Sequence, residues 1–299
     1  MKHLGLTLIT FGCFLNSVSV AEDANQMNQT QMNQDEGAIE RLARIRGLPE
    51  EPSVRILLLA NQESMDVEVA GSHNIYNPKN GKKLEASFLN SSYAMMPSPE
   101  GLKWGTEFPG IFQMMIVPDS PETPIRVNGV EYPGILLCYQ VGDKLAAVNS
   151  LSLEDLTSSL LSCTLLPKFH DTKETLAAYA IAFRTKGLAA AISPKNTFWD
   201  AKASAFGYHG KSVMRRDKAF QDAIKGTRKL VLIGKDVGPL TKAGGDDQVT
   251  EILSAVPHEE VVKLSQNGKN AKEILEFFFP DAVLTVAQKP NDDVKTYIK

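Results

Sequence analysis

The hydrophobic pattern of this chain changes once, near Leu151, and that change limits the folds that the sequence can adopt. Between Val54 and Asn149, short runs rich in β-branched residues are separated by Gly, Pro, Asn and Asp, which is the pattern of strands and turns. The runs are VRILLLA, MDVEVAG, IFQMMIVP, PIRVNGVEYPGILLCYQ and KLAAVNS. Within the fourth run, Asn128-Gly129 predicts a type I′ hairpin, because both residues tolerate positive φ.

Helical spacing dominates after Leu151. Ser152, followed by Glu154 and Asp155, is typical of a helix start, because a hydroxyl accepts a first-turn amide and acids favour the positive end of the dipole. A second helix is predicted from Asp171, with Glu174 completing a capping box and several alanines that allow a neighbouring element to approach closely. A short helix, the strand RKLVLIG and the helix AKEILEFFF follow. The predicted fold class is α+β, a β-rich N-terminal platform followed by helices and further strands.

Residues 1–21 have the three parts of a secretory signal peptide. A short basic start precedes an apolar run too brief to span a bilayer, and small residues at Ser19 and Ala21 form a cleavage pattern. We expect cleavage after Ala21 and a mature protein in the periplasm or cell envelope. The alternatives are an ordinary hydrophobic helix and a lipoprotein attached through Cys13, which the bulky Phe11 disfavours.

Three further segments are predicted after the signal peptide. Residues 22–53 are rich in Asn and Gln and predict a polar linker, with a short helix where Ile39, Leu42 and Ile45 share helical spacing. Residues 54–285 are predicted to form one large domain, and residues 286–299 a C-terminal tail.

Charge and motifs argue against several functions. The net charge of −3 gives no basic patch for nucleic acid, and no segment after the signal has the roughly 18 apolar residues of a membrane-spanning helix. The five histidines lack metal-ligand spacing, and no phosphate loop or Gly-x-Ser-x-Gly elbow occurs. Cys138 and Cys163 leave two alternatives after export, one disulfide or two separately buried thiols.

Several segments, taken in order, resemble one known family. They are VNGVEYPGILLCYQVGDKLAAVNSLSLEDL, KETLAAYAIAFRTKG, FWDAKASAFGYHG, IKGTRKLVLIGK and NGKNAKEILEFFFP. Their order and spacing are similar to those of the stage II sporulation protein D family, also called SpoIID/LytB. The matching positions are Glu174, Leu176, Ala180, Arg184 and Thr185 in the second helix, and Tyr208 and Gly210 in the loop. The resemblance runs from about Val54 to Asp281 and implies one large SpoIID-like domain.

The resemblance implies that this protein acts on peptidoglycan. Characterised members of the family are exported, and they either cleave peptide-stripped glycan strands as lytic transglycosylases or enhance a partner N-acetylmuramoyl-L-alanine amidase. Cleavage needs one carboxylic acid, which protonates the glycosidic oxygen and then accepts the C6 hydroxyl proton. This chemistry requires no metal and no organic cofactor. We therefore expect a peptidoglycan-remodelling protein for cell division or envelope remodelling.

The acid of the family is replaced in this sequence. Counting from Glu154 places the family's catalytic Glu at Thr164, whose hydroxyl does not titrate near neutral pH. The family's loop glutamine is Phe206 here, and PHEEV at residues 257–261 stands where the family has a Ser-Gln-x-Gly-Ala segment. Three alternatives follow: a lytic transglycosylase with its acid elsewhere, a catalytically silent glycan-binding module or amidase activator, and an envelope protein with another partner.

Two carboxylates are the candidate substitutes for the missing acid. Glu174 lies near the start of the second helix beside His170 and Asp171, and Asp200 precedes the tyrosine-containing loop. Their alternative roles are helix capping and a solvated loop charge. Glu154 and Asp155 are about 15 Å from Thr164 along a helix, too far to act at the same point.

Four residues are the candidates for substrate binding. Arg184 could orient a sugar or a carboxylate through its planar donors, or satisfy buried carbonyls instead. Tyr208 could stack on a sugar ring, with a turn tyrosine packed on the sheet as the alternative. His209 and Gly210 complete the loop, and no metal ligand set is evident around this histidine.

Overall fold

The computed structural model describes residues 52–164, 172–192, 198–211, 218–234, 238–239 and 257–287. The strands are β1 (Ser53–Gln62), β2 (Met65–Val69), β3 (His73–Tyr76), β4 (Lys83–Ser87), β5 (Ser91–Ser98), β6 (Gly101–Trp104), β7 (Thr106–Pro109), β8 (Gln113–Pro118), β9 (Ile125–Val127), β10 (Val130–Tyr132), β11 (Ile135–Val141), β12 (Lys144–Ser152), β13 (Ala201–Lys202), β14 (Leu230–Gly234), β15 (Gly238–Pro239) and β16 (Ala282–Val286). The helices are α1 (Leu153–Thr164), α2 (Lys173–Ile192), α3 (Ala203–Phe206), α4 (Lys218–Gly226), α5 (His258–Gln266) and α6 (Ala271–Phe278). The predicted signal peptide, the linker up to residue 51, His170, Asp171 and residues 288–299 of the tail lie outside the described residues.

Two sheets form the β-rich platform and share an apolar core. The larger sheet has the order β13-β1-β12-β11-β8-β3-β4, and the smaller has the order β10-β9-β2-β5-β6-β7. Met65 and Met95 of the smaller sheet pack with Met114 and Leu136 of the larger one in a single buried cluster. Because side chains alternate between the two faces of a strand, Asp66 and Glu68 point away from this core. The α+β prediction is confirmed, with the β-rich part first.

The predicted hairpin is present between β9 and β10. Asn128 and Gly129 have φ values of 48° and 80°, and Val127 pairs directly with Val130 across the two-residue turn. The Asn128 side chain also accepts a hydrogen bond from the Asp66 amide at 2.9 Å, which ties the turn to β2. Strands β3 to β7 were not among the predicted runs, because segments such as KLEAS and GLKW are short and interrupted by charges and glycine.

Helix α2 is the centre of the second half. Residues Thr175 to Ala190 are buried throughout, as expected for a helix enclosed by other elements. A Cβ at Gly187 would lie 2.5 Å from a methyl group of Leu153, so glycine allows α1 to pack closely against α2. The helix begins with Thr172 as its cap, because the Thr172 hydroxyl accepts from the Thr175 amide at 3.1 Å.

The third sheet, in the order β15-β14-β16, packs on the helices. Its Leu232 joins Leu156 of α1, Phe183 of α2, Phe220 of α4 and Ile274 of α6 in one buried cluster. Helix α5 was not predicted, since HEEVVKLSQ carries only a few apolar residues. The predicted strand RKLVLIG and the predicted helix AKEILEFFF correspond to β14 and α6.

Candidate functional site

Helix α1 ends at Thr164, the position that the sequence resemblance predicts for the family's catalytic acid. The Ser152 hydroxyl accepts from the Asp155 amide at 3.0 Å and donates to the Asp155 carboxylate at 2.7 Å, which fixes the start of the helix. Leu156 and Leu160 hold one side of α1 in the core. Thr164 is the last residue of α1, and its side chain is exposed. The segment 165–171 that follows lies outside the described residues.

A polar stripe on α1 faces the loop after α3. Asp155, Ser159 and Cys163 are spaced by four residues and so lie on one side of the helix. The Ser159 hydroxyl donates to the Gly210 carbonyl at 2.8 Å. Burial raises the pKa of the Cys163 thiol, and hydrogen bonds from the Ser159 side chain and the His209 backbone oppose this rise. The thiol therefore remains protonated at neutral pH.

The loop that carries Tyr208 is fixed by that tyrosine. Its side chain is buried, and its hydroxyl donates to the Asn149 side-chain oxygen at 2.6 Å. Asn149 in turn donates to the carbonyls of Pro133 and Ile135 at 2.7 and 3.1 Å. Burial raises the pKa of Tyr208 well above its usual value. The structure thus places Tyr208 as a turn tyrosine packed on the sheet, with its ring 5.8 Å from that of Tyr132.

Gly210 brings the same loop against β10. It has a φ of 79°, and a Cβ at this position would lie 2.3 Å from the Glu131 carbonyl oxygen. The next residue, Lys211, donates its amide to that carbonyl at 2.7 Å. His209 lies between the anchored residues Tyr208 and Gly210, and its side chain is exposed. We call residues 207–211 the tyrosine loop; it is attached to α1, β10 and β12 by the contacts of Ser159, Glu131 and Asn149.

Arg184 lies in the interior of the helical half. Its side chain is fully buried and donates to both carboxylate oxygens of Glu154 at 2.9 and 2.8 Å. It also donates to the Leu230 carbonyl at 3.2 Å. Of the two predicted roles for Arg184, these contacts are those of a residue that satisfies buried acceptors and joins α1, α2 and β14.

The two candidate substitute acids also have structural contacts. Glu174 accepts a hydrogen bond from the Ala271 amide at 2.8 Å, which joins the start of α2 to the start of α6. Asp200 has only 5% of its side chain exposed and forms an ion pair with Arg55 at 2.8 Å. It also accepts from the Arg55 amide at 2.7 Å. The structure therefore places Glu174 and Asp200 at two separate element junctions.

Motif reasoning missed three contacts of this site. Ser159 and Cys163 were not predicted as contacts of the tyrosine loop, although the four-residue steps from Asp155 to Ser159 and from Ser159 to Cys163 were a usable signal. Asn149 was not predicted as the partner of Tyr208, because their hydrogen bond spans 59 residues and has no local signature.

Metal ligands, cysteines and apolar helices also bear on what the described part of the chain can do. In the part of the chain that the structure describes, no three or more His, Cys, Asp or Glu side chains are placed to hold a metal ion. Cys138 and Cys163 are both free, Cys138 in the core between the sheets and Cys163 beside the tyrosine loop. Among the described helices, none has the length and hydrophobicity needed to cross a membrane.

Comparison with known sequences gives a family match for part of this chain. The sequence profile of the family described as stage II sporulation protein, SpoIID, matches residues 141–233. This SpoIID segment contains α1, α2, the tyrosine loop, α4 and most of β14. The resemblance predicted from the sequence is confirmed over these residues, and the segment matches a sporulation-related and cell-wall-related family.

Relatives of this chain include bacterial proteins, two of which match along most of its length. An uncharacterized protein of Chlamydia muridarum is 28% identical over 247 residues, 81% of this chain and 80% of its own length. An uncharacterized protein of Chlamydia pneumoniae is 28% identical over 252 residues, 83% of this chain and 87% of its own length. An uncharacterized protein of Brachyspira hyodysenteriae is 26% identical over 132 residues, 44% of this chain and 34% of its own length. No solved structure matches this chain.

Proposed function

We propose that this protein binds the glycan strands of peptidoglycan outside the cytoplasm through its SpoIID segment, and that it does not cut them. The observation that carries the proposal is the exposed Thr164 hydroxyl at the end of α1, the position that the sequence resemblance predicts for the family's acid. A hydroxyl cannot protonate a glycosidic oxygen near neutral pH as a raised-pKa carboxylic acid does.

Three of the described carboxylates in this half of the molecule support the same proposal. Glu154 is bound by Arg184, Glu174 by the Ala271 amide and Asp200 by Arg55. A general acid must carry a proton and reach the glycosidic oxygen, whereas these three carboxylates accept hydrogen bonds from other parts of the protein. The tyrosine loop is still anchored beside α1. This arrangement fits a domain that keeps a surface for binding glycan but has no carboxylic acid at Thr164 to donate a proton.

The first experiment measures binding and cleavage together. The purified full-length chain is incubated with peptide-stripped glycan strands, bound protein is quantified by co-sedimentation, and soluble products are analysed by mass spectrometry for 1,6-anhydro-muramyl ends. We expect retention on the strands without such ends. Cleavage by the wild type would overturn the proposal in favour of lytic transglycosylase activity, and absence of binding would favour an envelope protein with another partner.

A gain-of-function variant tests the position of the missing acid. Thr164→Glu restores a carboxylic acid at the end of α1, and we expect it to produce 1,6-anhydro-muramyl ends from the same strands. Gln266→Glu is the matched control, because Gln266 is the exposed last residue of α5 and receives the same side chain. Product from both variants, or from neither, would contradict the assignment of Thr164 as the position of the acid.

An amidase partner is tested separately, since activation requires no cleavage by this chain. The chain is added to an N-acetylmuramoyl-L-alanine amidase acting on intact peptidoglycan, and release of stem peptides is measured. A rate increase would add amidase activation to glycan binding, whereas an unchanged rate would leave glycan binding alone.

A further inference from the structure

Two adjacent apolar side chains are exposed on the connection between β4 and β5, in the part of the chain that precedes the SpoIID segment. Of the large apolar side chains in the described ranges, Phe88 is 83% exposed and Leu89 is 76% exposed, and these two are the least buried. Single exposed apolar residues are ordinary, whereas neighbouring ones present a continuous apolar surface to water. We call Phe88 and Leu89 the apolar tip.

The chain around the apolar tip carries no charge. Residues 86–99 contain no Asp, Glu, Lys, Arg or His, although 22% of the whole chain is charged. The tip can therefore enter an apolar medium without removing a neighbouring charge of this segment from water. The first charged residue on each side of the segment is a carboxylate, Glu85 or Glu100, which disfavours an anionic surface.

The turn beneath the apolar tip pairs the backbone groups of Leu89 within the protein. The Ser87 hydroxyl donates to the Leu89 carbonyl at 3.1 Å and lies 3.4 Å from the Leu89 amide, from which it accepts. In a lipid layer no water is present to bond a free amide or carbonyl, so such groups need partners inside the protein. This pairing suits a lipid surface, whereas a protein partner could itself supply hydrogen bonds to the loop.

Strand register places the apolar tip at the same end of the smaller sheet as the tyrosine loop. Ser91, which begins β5 just after the tip, is opposite Val69 of β2. Val69 is opposite Ile125 of β9, and Ile125 is opposite Tyr132 of β10. A Cβ at Gly210 of the tyrosine loop would lie 3.1 Å from the Tyr132 ring. Neighbouring strands are about 4.8 Å apart, so Ser91 and Tyr132 are separated by about 14 Å across the sheet.

We propose that the apolar tip inserts into the surface of a lipid bilayer with no net charge, such as one of phosphatidylcholine, and so binds the protein peripherally to a membrane. The driving force is the removal of Phe88 and Leu89 from water, which does not depend on salt-screened attraction. Two side chains bury less apolar area than one acyl chain, whose membrane binding is itself reversible, so we expect weak and reversible binding.

The test measures partitioning onto vesicles of phosphatidylcholine. Residues 22–299 are used, because they lack the predicted signal peptide and contain every residue that the structure describes. Bound protein is separated by flotation at low and at high salt, and we expect the wild type to bind equally at both. The double variant Phe88→Ser with Leu89→Ser should lower the partition coefficient at least about tenfold, because two apolar side chains no longer leave water.

Val141 provides the matched control. It is 62% exposed at the end of β11, close to the charged residues Asp143 and Lys144, and it lies at the opposite end of the larger sheet from Ser87. Val141→Ser should leave the partition coefficient unchanged. The contact itself is located with Phe88→Trp and Val141→Trp, each compared with the parent chain. Brominated phosphatidylcholine should quench the added tryptophan only in Phe88→Trp.

Three results would overturn the inference. The first is a wild type that does not bind neutral vesicles, and the second is a double serine variant that binds as well as the wild type. The third is binding confined to anionic phosphatidylglycerol vesicles and abolished by salt, which would be an attraction of basic residues.

Two further measurements separate the alternatives. If the wild type does not float but forms a dimer that the double serine variant loses in sedimentation equilibrium, the apolar tip is a contact between two copies instead. The inference does not rest on glycan binding, so both proteins should be retained equally on peptide-stripped glycan strands. Thermal unfolding of each variant shows that a change in partitioning is not a loss of folded protein.

Discussion

The surroundings of Arg184 and Lys186 differ sharply, although the two residues are close together on α2. Arg184 lies at the junction of α1, α2 and β14, where Glu154 and a carbonyl accept from its donors. Lys186 lies at the junction of α2 and α3 and is 6% exposed. Its ammonium has the Ala205 carbonyl at 3.4 Å and the Phe206 ring 4.5 Å away. One buried cation has an opposite charge beside it, and the other has none among its described contacts.

The difference shows that the effect of a buried charge on stability depends on whether an opposite charge lies beside it. A buried charge with a bidentate partner holds elements together, and its removal leaves the partner uncompensated. A buried charge without a carboxylate partner is disfavoured by desolvation, and burial lowers the pKa of Lys186 to about 8. The free energy of unfolding should therefore respond in opposite directions when each cation is replaced.

The largest effect is expected for Arg184→Met. The variant removes the Arg184 donors from the Glu154 carboxylate and the Leu230 carbonyl, while Glu154 keeps the Lys229 amide, and we expect a loss of about 3–5 kcal/mol in the free energy of unfolding. Urea denaturation at neutral pH measures it. Lys272→Met, at a lysine that is 63% exposed on α6, is the control and should change stability by less than about 0.5 kcal/mol. Similar losses in both variants would contradict the structural role of the Glu154 pair.

The effect of Lys186→Met on the free energy of unfolding should have the opposite sign at neutral pH. The pKa of Lys186 is lowered from 10.5 to about 8, so the unfolded chain holds its proton more tightly than the native protein. Wild-type stability should rise as pH increases from about 8 towards 10.5, and the penalty is fully present below about 8. We expect the variant to be more stable than wild type by about 2–3 kcal/mol at pH 7.

The pH dependence of that difference is the decisive measurement for Lys186. Urea denaturation of wild type and Lys186→Met is compared at pH 7 and at pH 10, and the advantage of the variant should shrink at the higher pH. The comparison at each pH cancels the contributions of Tyr132, Tyr208 and the cysteines, whose raised pKa values are shared by both proteins. A variant that is less stable at pH 7 would show that packing of the Lys186 side chain outweighs its desolvation.

Asp200→Asn extends the comparison to a second paired charge. Asparagine keeps one acceptor for Arg55 but removes the charge, so we expect a loss of about 2 kcal/mol in the free energy of unfolding. Asp143→Asn is the control, because the Asp143 side chain is 89% exposed. An unchanged stability for Asp200→Asn would remove the main reason for giving Asp200 a structural role and would favour its predicted role as a substitute acid.

The smallest effect is expected for Glu174→Gln. The amide oxygen of glutamine still accepts from the Ala271 amide, and only the favourable charge at the start of α6 is lost. We expect a decrease of about 0.5–1 kcal/mol, measured by thermal unfolding with Glu276→Gln as the exposed control. A larger decrease would indicate that the charge of Glu174 is required where α2 meets α6.

The sequence predicted local features more reliably than contacts between distant residues. The Asn128-Gly129 turn and the start of α1 at Ser152 follow from backbone preferences of a few neighbouring residues, and both are confirmed. The Glu154–Arg184 pair joins residues 30 positions apart, and the Asp200–Arg55 pair joins residues 145 positions apart. No local pattern specifies such pairs, because they form only when several elements pack together.

The same limit applies to the candidate site. The resemblance to the family is confirmed over residues 141–233, whereas Thr164 as the position of the family's acid stays a prediction from the sequence. Which polar residues contact the tyrosine loop depends on the packing of α1 beside that loop and on the approach of Gly210 to β10.

By itself, then, the sequence determined the change from strands to helices near Leu151, the type I′ turn and the absence of a carboxylate at residue 164, since each depends on residue identity and short-range periodicity. Only the tertiary structure decided that Arg184 is paired, that Lys186 has no carboxylate among its described contacts, and that Tyr208 is buried. Burial and pairing depend on which elements pack together. The free-energy cost of desolvating each of these groups arises only when that packing removes the group from water.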